Sequence, residues 1–392
     1  MKERGNRILR FADRWLGIPI IALLGALSKR RSVPEAIDVV GILMFGVIGD
    51  TIFAASLARA IKMWRPNVTV VALVAKSNAG AIDLVDGIDE VMVVPVGRPL
   101  KAMRIVRARK FDVLIDTSQW PRIGAVLTVT SRSRYTIGFR TDGQCRHYAY
   151  DAVVKHSRDR HEVDNFRQLL RPLGIAVQVQ PSLRHDLTGA FSTLAGLRYV
   201  VFHPWATGFR SELREWPTER WVALAYALEG MAECIVITGG KGDRAASERL
   251  AAAIARPALV RVLAGETSLA DLTRVLANAQ AVVSVNTGTM HIAALLNRPL
   301  VALHGPTDPR RWGPIGDSAV VVGPGPGEGG AYLNLGFEYP RHAENCMAKI
   351  SVADVMAPLQ AMLAGSQRRP PVSIADSSAD LSRQGRDADL GS

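Results

Sequence analysis

The groups best suited to chemistry in this chain lie where apolar runs break into small and polar residues. Residues 282–285 read as a buried strand that ends in Asn286-Thr287-Gly288, after which Met290, Ile292, Ala293, Leu295 and Leu296 recur at helical spacing. Asn and Thr are strong helix N-caps, and a glycine lets a ligand come close to the backbone. A helix start at the carboxyl end of a parallel strand is an anion site, because its unpaired N–H groups point outward. His291 stands four residues after Thr287, on the same helix face. A second strand, 300–304, breaks into Gly305-Pro306-Thr307-Asp308-Pro309, and two such loops side by side would frame a phosphate-sized pocket. The same pattern also fits an ordinary βαβ unit with a capped helix. Earlier in the chain, the apolar run 39–45 meets Gly46-Val47-Ile48-Gly49-Asp50 ahead of a helical stretch, 52–64. This is neither the dinucleotide G-x-G-x-x-G nor a phosphate loop, since it lacks the spacing and the lysine. Asp50 falls at a helix start, where the plain role of a carboxylate is to cap.

These loops need a scaffold of strands that stop together at one edge. Further strands read at 68–74, 90–95, 113–116 and 135–138, then at 199–203 and 234–238, with helical stretches between them. That βα rhythm implies doubly wound parallel sheets. With 392 residues there is room for two domains with full cores. Three cysteines, Cys145, Cys234 and Cys346, far apart and odd in number, argue against a disulfide framework or a zinc site and for a reducing compartment. The formal charge of +12 is concentrated: residues 1–32 hold eight Lys/Arg against two acids, and residues 98–146 hold eleven against three. Two basic patches on an otherwise near-neutral chain point to an anionic surface or substrate rather than to nucleic acid, although a solvated basic face has the same composition. The apolar run 15–27 is too short to span a bilayer and contains Pro19. Its flanks, Arg7, Arg10 and Arg14 before and Lys29-Arg30-Arg31 after, fit a segment lying in the headgroup plane. A helix docked on the fold is the alternative. Residues 366–392 are polar and poor in large apolar groups, the composition of a disordered tail.

Taken together, the motifs resemble the signature of the ADP-heptose:lipopolysaccharide heptosyltransferases, glycosyltransferase family 9. That signature is Asp/Asn-Thr/Ser-Gly-x-x-His-Leu/Ile-Ala-Ala, then a strand, then Gly-Pro-Thr-Asp-Pro and a nearby Trp-Gly-Pro. It stands here as Asn286 to Ala294, Gly305 to Pro309, and Trp312-Gly313-Pro314. Gly46 to Asp50 is similar to the family's first motif, and His203-Pro204-Trp205-Ala206 with Arg214-Glu215-Trp216-Pro217 to the one that opens its second domain. The resemblance covers residues 37–360. It implies the GT-B architecture, a Rossmann-like acceptor domain (36–185) and a Rossmann-like nucleotide-sugar domain (196–350), behind the basic membrane-surface segment (1–35) that the charge pattern marks. A hinge at 181–195 joins the two, and a last helix (351–365) packs back on the first domain. It also implies an inverting, metal-independent transfer of a heptose from ADP-heptose to a lipopolysaccharide core, on the cytoplasmic face of the inner membrane. No cofactor is needed beyond the nucleotide-sugar co-substrate. No acidic pair closes a strand and no H-E-x-x-H occurs, so the protein itself must stabilise the leaving diphosphate.

The roles implied by the resemblance are specific. Asp50 is the catalytic base and Arg214 the cation that neutralises the leaving diphosphate, a task Arg210 could share. Thr207, Asn286, Thr287, Gly288 and His291 bind the donor, Asp243 (or Glu248) holds the ribose, and Thr267 lies beside the base. Arg122 and Arg140 face the acidic, lipid-linked acceptor. Two departures stand out: Trp205 where Gly is common, and Asn286 where many members have Asp, which changes the hydrogen-bonding pattern offered to the sugar. A nucleotide-sugar 2-epimerase of the same architecture and a catalytically inactive membrane-associated binding protein are the competing readings.

Overall fold

The computed structural model describes residues 11, 13–187 and 189–366. The expected disordered tail, 366–392, lies outside them from 367 onward, as does most of the expected basic segment before Asp13.

Strands covered by helices on both faces need near-continuous apolar sequence. The first half of the chain supplies it in β1 (Val39–Met44), β2 (Thr69–Val74), β4 (Val113–Asp116) and β5 (Tyr135–Arg140), with β3 (Glu90–Val93) and β6 (Ala152–Lys155) at the edges. All pair in parallel, in the order β3-β2-β1-β4-β5-β6. The second half repeats the plan. β7 (Tyr199–His203), β8 (Cys234–Ile237), β9 (Val260–Val262), β10 (Ala281–Val285), β11 (Leu300–Leu303) and β12 (Ala319–Val322) form a parallel sheet ordered β12-β11-β10-β7-β8-β9. Numbered within its own half, this is the same order. These are two Rossmann-like sheets in the GT-B arrangement.

The order locates the site. The direction of winding reverses between β1 and β4 in one sheet and between β7 and β10 in the other, and crevices open beyond the carboxyl ends at such points. Leu43 pairs with Asp116 and His203 with Ser284, so each pair of loops leaves its sheet side by side. The loops concerned are Gly46–Asp50 with 117–121, and 204–208 with 286–288.

The halves are welded as well as joined. One buried apolar cluster includes Ile52, Ala55, Leu84 and Val85 of the first half with Tyr199, Met290, Ile292 and Ala293 of the second. The segment expected as a hinge contributes Leu183, Leu187 and Leu194 to that cluster, so it is a packed strap rather than a loose linker. The final helix, Val352–Ser366, departs from expectation. Its Val355, Met356, Leu359 and Leu363 join the core that holds Trp216 and Trp221, so it packs on the second sheet rather than returning to the first. Its apolar face matches that sheet's open flank, which sequence periodicity alone does not identify.

The N-terminal helix Gly17–Leu27 docks on helix Arg122–Val129 and the turn Arg146–Ala149. Ile21 is fully buried there, and a Cβ on Gly17 would come within 2.9 Å of the Arg122 side chain.

Candidate functional site

In the first domain the site is built on the turn after β1. Gly46 allows it: a Cβ there would sit 2.5 Å from that of Asp50. Asp50 is the third residue of helix Ile48–Trp64, and its Oδ2 accepts the Val47 amide at 3.3 Å. Asn78, which nothing in the sequence marked, holds this turn to the sheet. Its Nδ2 donates to the Met44 carbonyl (2.6 Å) and the Thr51 hydroxyl (2.7 Å), and its Oδ1 accepts the Ala75 amide (3.0 Å).

In the second domain, Thr287 N-caps helix Gly288–Leu295 through its backbone, with no side-chain cap bond. The first turn therefore leaves its amides open, as the sequence pattern predicts. Asn286 Nδ2 donates to Thr307 Oγ1 (2.9 Å) and lies 3.4 Å from His304 Nδ1, tying the loop after β10 to the loop after β11. An aspartate could not make that donation. His203 links the next pair of loops, meeting Thr238 Oγ1 at 2.9 Å and Thr289 Oγ1 at 3.2 Å.

The two helix starts meet across the cleft. A Cβ on Gly288 would stand 2.8 Å from that of Ile48, and one on Gly49 would stand 2.6 Å from His291 Cδ2. Only glycine permits this approach. The His291 and Phe53 rings meet in a T-shaped contact, 4.6 Å between centroids. Burial, with His161 and His304 nearby, lowers the His291 pKa to about 3; burial likewise brings His203 and His304 to about 4. All three are neutral imidazoles at neutral pH, able to donate or accept but carrying no charge. Thr287 Oγ1, His291 Nδ1 and His304 Nε2 have no hydrogen-bond partner among the described residues. Most buried polar atoms find a partner, and these three open onto one cleft with hydrogen-bonding capacity to spare.

Arg214 sits on the loop after β7, anchored by the buried Trp216, whose Nε1 donates to the Ile350 carbonyl at 3.0 Å. Its guanidinium donates to the carbonyl of exposed Thr207, leaving Nε without a partner among the described residues. Gly208 (φ +111°) makes the turn above it. Arg210 is committed elsewhere, donating to the carbonyls of Pro340 (3.0 Å) and Ala343 (3.3 Å). Trp205 lies over Gly239 and donates to Ser247 Oγ at 2.7 Å, which explains how the fold takes an indole where glycine is common. Asp243 Oδ2 accepts the Gly240 amide (2.8 Å), while Glu248 is paired at the surface with Arg244 (2.9 Å). Thr267 is half-buried immediately before Ser268, which caps helix Leu269–Ala277.

The two acceptor-side arginines diverge. Arg140 is exposed at the end of β5, in a groove it shares with Arg30, His147 and Lys155. Arg122 is 4% exposed and turned inward, its Nη1 on Asp13 (2.9 Å) and its Nη2 on Gln144 (3.1 Å). The N-terminal helix thus covers the side chain expected to face an acceptor. Among the described residues no group of three or more His, Cys, Asp or Glu is arranged to hold a metal ion.

Comparison with known proteins gives these features a family. The profile of glycosyltransferase family 9 (heptosyltransferase) matches residues 100–328, more than half of the chain. Lipooligosaccharide heptosyltransferase 2 of Haemophilus influenzae is 35% identical over 113 residues, which is 28% of this chain and only 32% of that protein. Lipopolysaccharide heptosyltransferase 3 of Escherichia coli is 26% identical over 286 residues, 67% of this chain and 78% of that one. The solved structure of E. coli ADP-heptose lps heptosyltransferase II superposes with a TM-score of 0.69 at 21% identity, covering 84% of this chain and 99% of that one, and so shares the fold. By profile, relatives and fold, the chain belongs to glycosyltransferase family 9.

Proposed function

We propose that this protein is an inverting, metal-independent glycosyltransferase that moves a heptose from ADP-heptose to a lipopolysaccharide core, working peripherally on the cytoplasmic face of the inner membrane. One observation carries the reading. The carboxylate-bearing start of helix Ile48–Trp64 and the bare start of helix Gly288–Leu295 come from different domains and touch across the cleft. Asp50 takes the proton of the acceptor hydroxyl as its oxygen attacks the anomeric carbon, and the sugar passes through an oxocarbenium-like state. Charge developing on the departing diphosphate falls on the amides at Thr287 and Gly288 and on Arg214. Neutral His291, with Asn286 and Thr207, hydrogen-bonds the donor; Asp243 and Thr267 serve its nucleoside, and Arg140 the anionic acceptor. The relatives support the substrates, being heptosyltransferases of lipopolysaccharide or lipooligosaccharide.

The test is Asp50→Asn. Transfer from ADP-heptose should fall about 100- to 10,000-fold while ADP affinity by calorimetry stays within experimental error. Unchanged turnover would remove Asp50 as the base. The wild-type rate should also survive EDTA; loss of transfer that added Mg²⁺ restores would remove metal independence.

A further inference from the structure

The helix Gly17–Leu27 has a face that none of the described residues covers. Gly17, Ile21 and Gly25 turn inward, and a Cβ on Gly25 would collide with the Tyr148 carbonyl oxygen. The segment after it is pinned as well: Arg31 pairs with Asp151 at 2.8 Å. The helix is therefore a fixed part of the first domain, and its outward side is set by that docking. That side is entirely apolar. Leu16, Ile20, Leu23 and Leu27 follow one another at helical spacing, 62%, 43%, 62% and 75% exposed, with Trp15 beside them at 62%. A surface helix ordinarily presents polar groups to water, and a contiguous apolar strip of this kind marks a binding surface.

The length of the helix and the charges around it identify the partner. Eleven residues extend about 16 Å, against a hydrocarbon core of about 30 Å, and among the described residues no helix is long and apolar enough to cross a membrane. At its carboxyl end Lys29 and Arg30 are exposed, and Arg30 continues into a groove lined by Arg140, His147, Lys155 and Asp142. Lys29, Arg30, Arg140 and Lys155 form no ion pair with any described residue. A second copy of the chain docking on this patch about a twofold axis would bring these cations against their equivalents. Lipid phosphates would neutralise them instead.

We propose that the outward face of helix Gly17–Leu27 is a monotopic binding surface for an anionic phospholipid bilayer, with Leu16, Ile20, Leu23 and Leu27 in the acyl boundary, Trp15 at the interface, and Lys29, Arg30 and Lys155 on the headgroup phosphates. Arg140 and Lys155 of the groove close β5 and β6, at the same end of the sheet from which the Asp50 turn leaves. Membrane docking would thus bring the acceptor side of the cleft to the lipid surface. This deepens the peripheral location proposed above and rests on it for its setting. Vesicle binding is measured without donor or acceptor, so either reading can fail while the other stands.

The experiment is co-sedimentation of the full chain with phosphatidylcholine vesicles, with and without 30 mol% (about a third) phosphatidylglycerol. Wild type should prefer the anionic vesicles. Leu16→Ser/Ile20→Ser/Leu23→Ser/Leu27→Ser, at exposed positions, should keep its melting temperature and lose binding at least about tenfold. Lys29→Glu/Arg30→Glu should erase the preference for anionic lipid. Should the fourfold variant not fold, quenching of wild-type tryptophan by headgroup-proximal brominated lipid, reduced in Trp15→Phe, decides the same point. Equal binding by wild type and a folded fourfold variant, absence of quenching, or a wild-type dimer that the variant converts to monomer without any lipid binding would each overturn the proposal.

Discussion

At the scale of single residues, the structure separates groups that act from groups that hold them. Asn78 uses all of its amide inside the fold, on Met44, Thr51 and Ala75. Asn78→Ala would leave buried backbone groups unpaired, at a cost of about 1–3 kcal/mol each, and would free the Asp50 turn. Expected are a lower Tm and a fall in kcat with ADP affinity intact; an unchanged kcat would show that the turn is held by other means. The three buried histidines predict a pH dependence. Their native pKa values, about 4 for His203 and His304 and about 3 for His291, lie below the ordinary value of about 6.5. As pH falls below about 6.5 the unfolded chain takes up protons first, so the native state loses up to about 1.4 kcal/mol per pH unit for each histidine until its native pKa is reached. Urea midpoints between pH 7.5 and 5 (roughly the span above the native values) should drop accordingly, and His203→Gln should flatten that slope. An identical slope in the variant would place the acid sensitivity elsewhere. Little of this was visible in the sequence: Asn286, Thr287 and His291 stood out by their spacing, whereas Asn78 lies 27 residues from Thr51 with no local signature.

Elements were legible to the degree that they are buried on both sides. β1, β4, β7 and β10 read directly as apolar runs, and because the winding reverses between them, the loops that matter were readable too. Ala152–Lys155, Val260–Val262 and Ala319–Val322 did not register as strands: they are short edge strands, half-buried or exposed at all but Val322, with nothing in their composition to distinguish them from loop. Orientation was equally hidden. An apolar periodicity shows that Val352–Ser366 buries a face, but not against which sheet. Arg122 meets Asp13 across 109 residues, a pairing no spacing announces. That contact yields a prediction at this scale. Gly25→Val puts a side chain into the Tyr148 backbone, which cannot move aside, so the N-terminal helix should lift while both sheets stay folded. Trypsin should then cut at Lys29-Arg30-Arg31 much faster than in wild type, with an unchanged far-UV signal apart from one short helix. Equal cleavage rates would mean that Asp13–Arg122 and Arg31–Asp151 suffice to hold the helix down.

For the whole molecule the question is what keeps two domains closed on a small polar cleft. Part of the answer is apolar, the cluster running from Ile52 to Met290. Another part is a buried polar junction centred on Glu162 and Arg311. Glu162, from the first domain, is fully buried with Oε1 on Arg311 Nε of the second, while its Oε2 accepts from Gln119 Nε2 (2.6 Å) and meets His156 Nε2 (3.1 Å). Arg311 also donates to Gln119 Oε1 (2.9 Å) and Asn334 Oδ1 (2.6 Å), and His161 Nε2 meets the Gly313 carbonyl at 3.2 Å. A buried ion pair of this kind contributes little against an apolar replacement of the same shape, yet removing one partner costs about 3–5 kcal/mol because the other charge is stranded. Arg311→Met strands Glu162 only while the domains are closed; opening returns the carboxylate to water. The variant should therefore relieve its penalty by opening, seen as a larger radius of gyration in solution scattering and a loss in kcat/KM for transfer. Arg311→Met combined with Glu162→Gln removes both charges and should recover much of the closure and part of the rate. If the single variant scatters like wild type, closure is held by the apolar cluster alone. In that case the same substitution should appear instead as a lower Tm, because a molecule that cannot open has no other way to rehydrate Glu162.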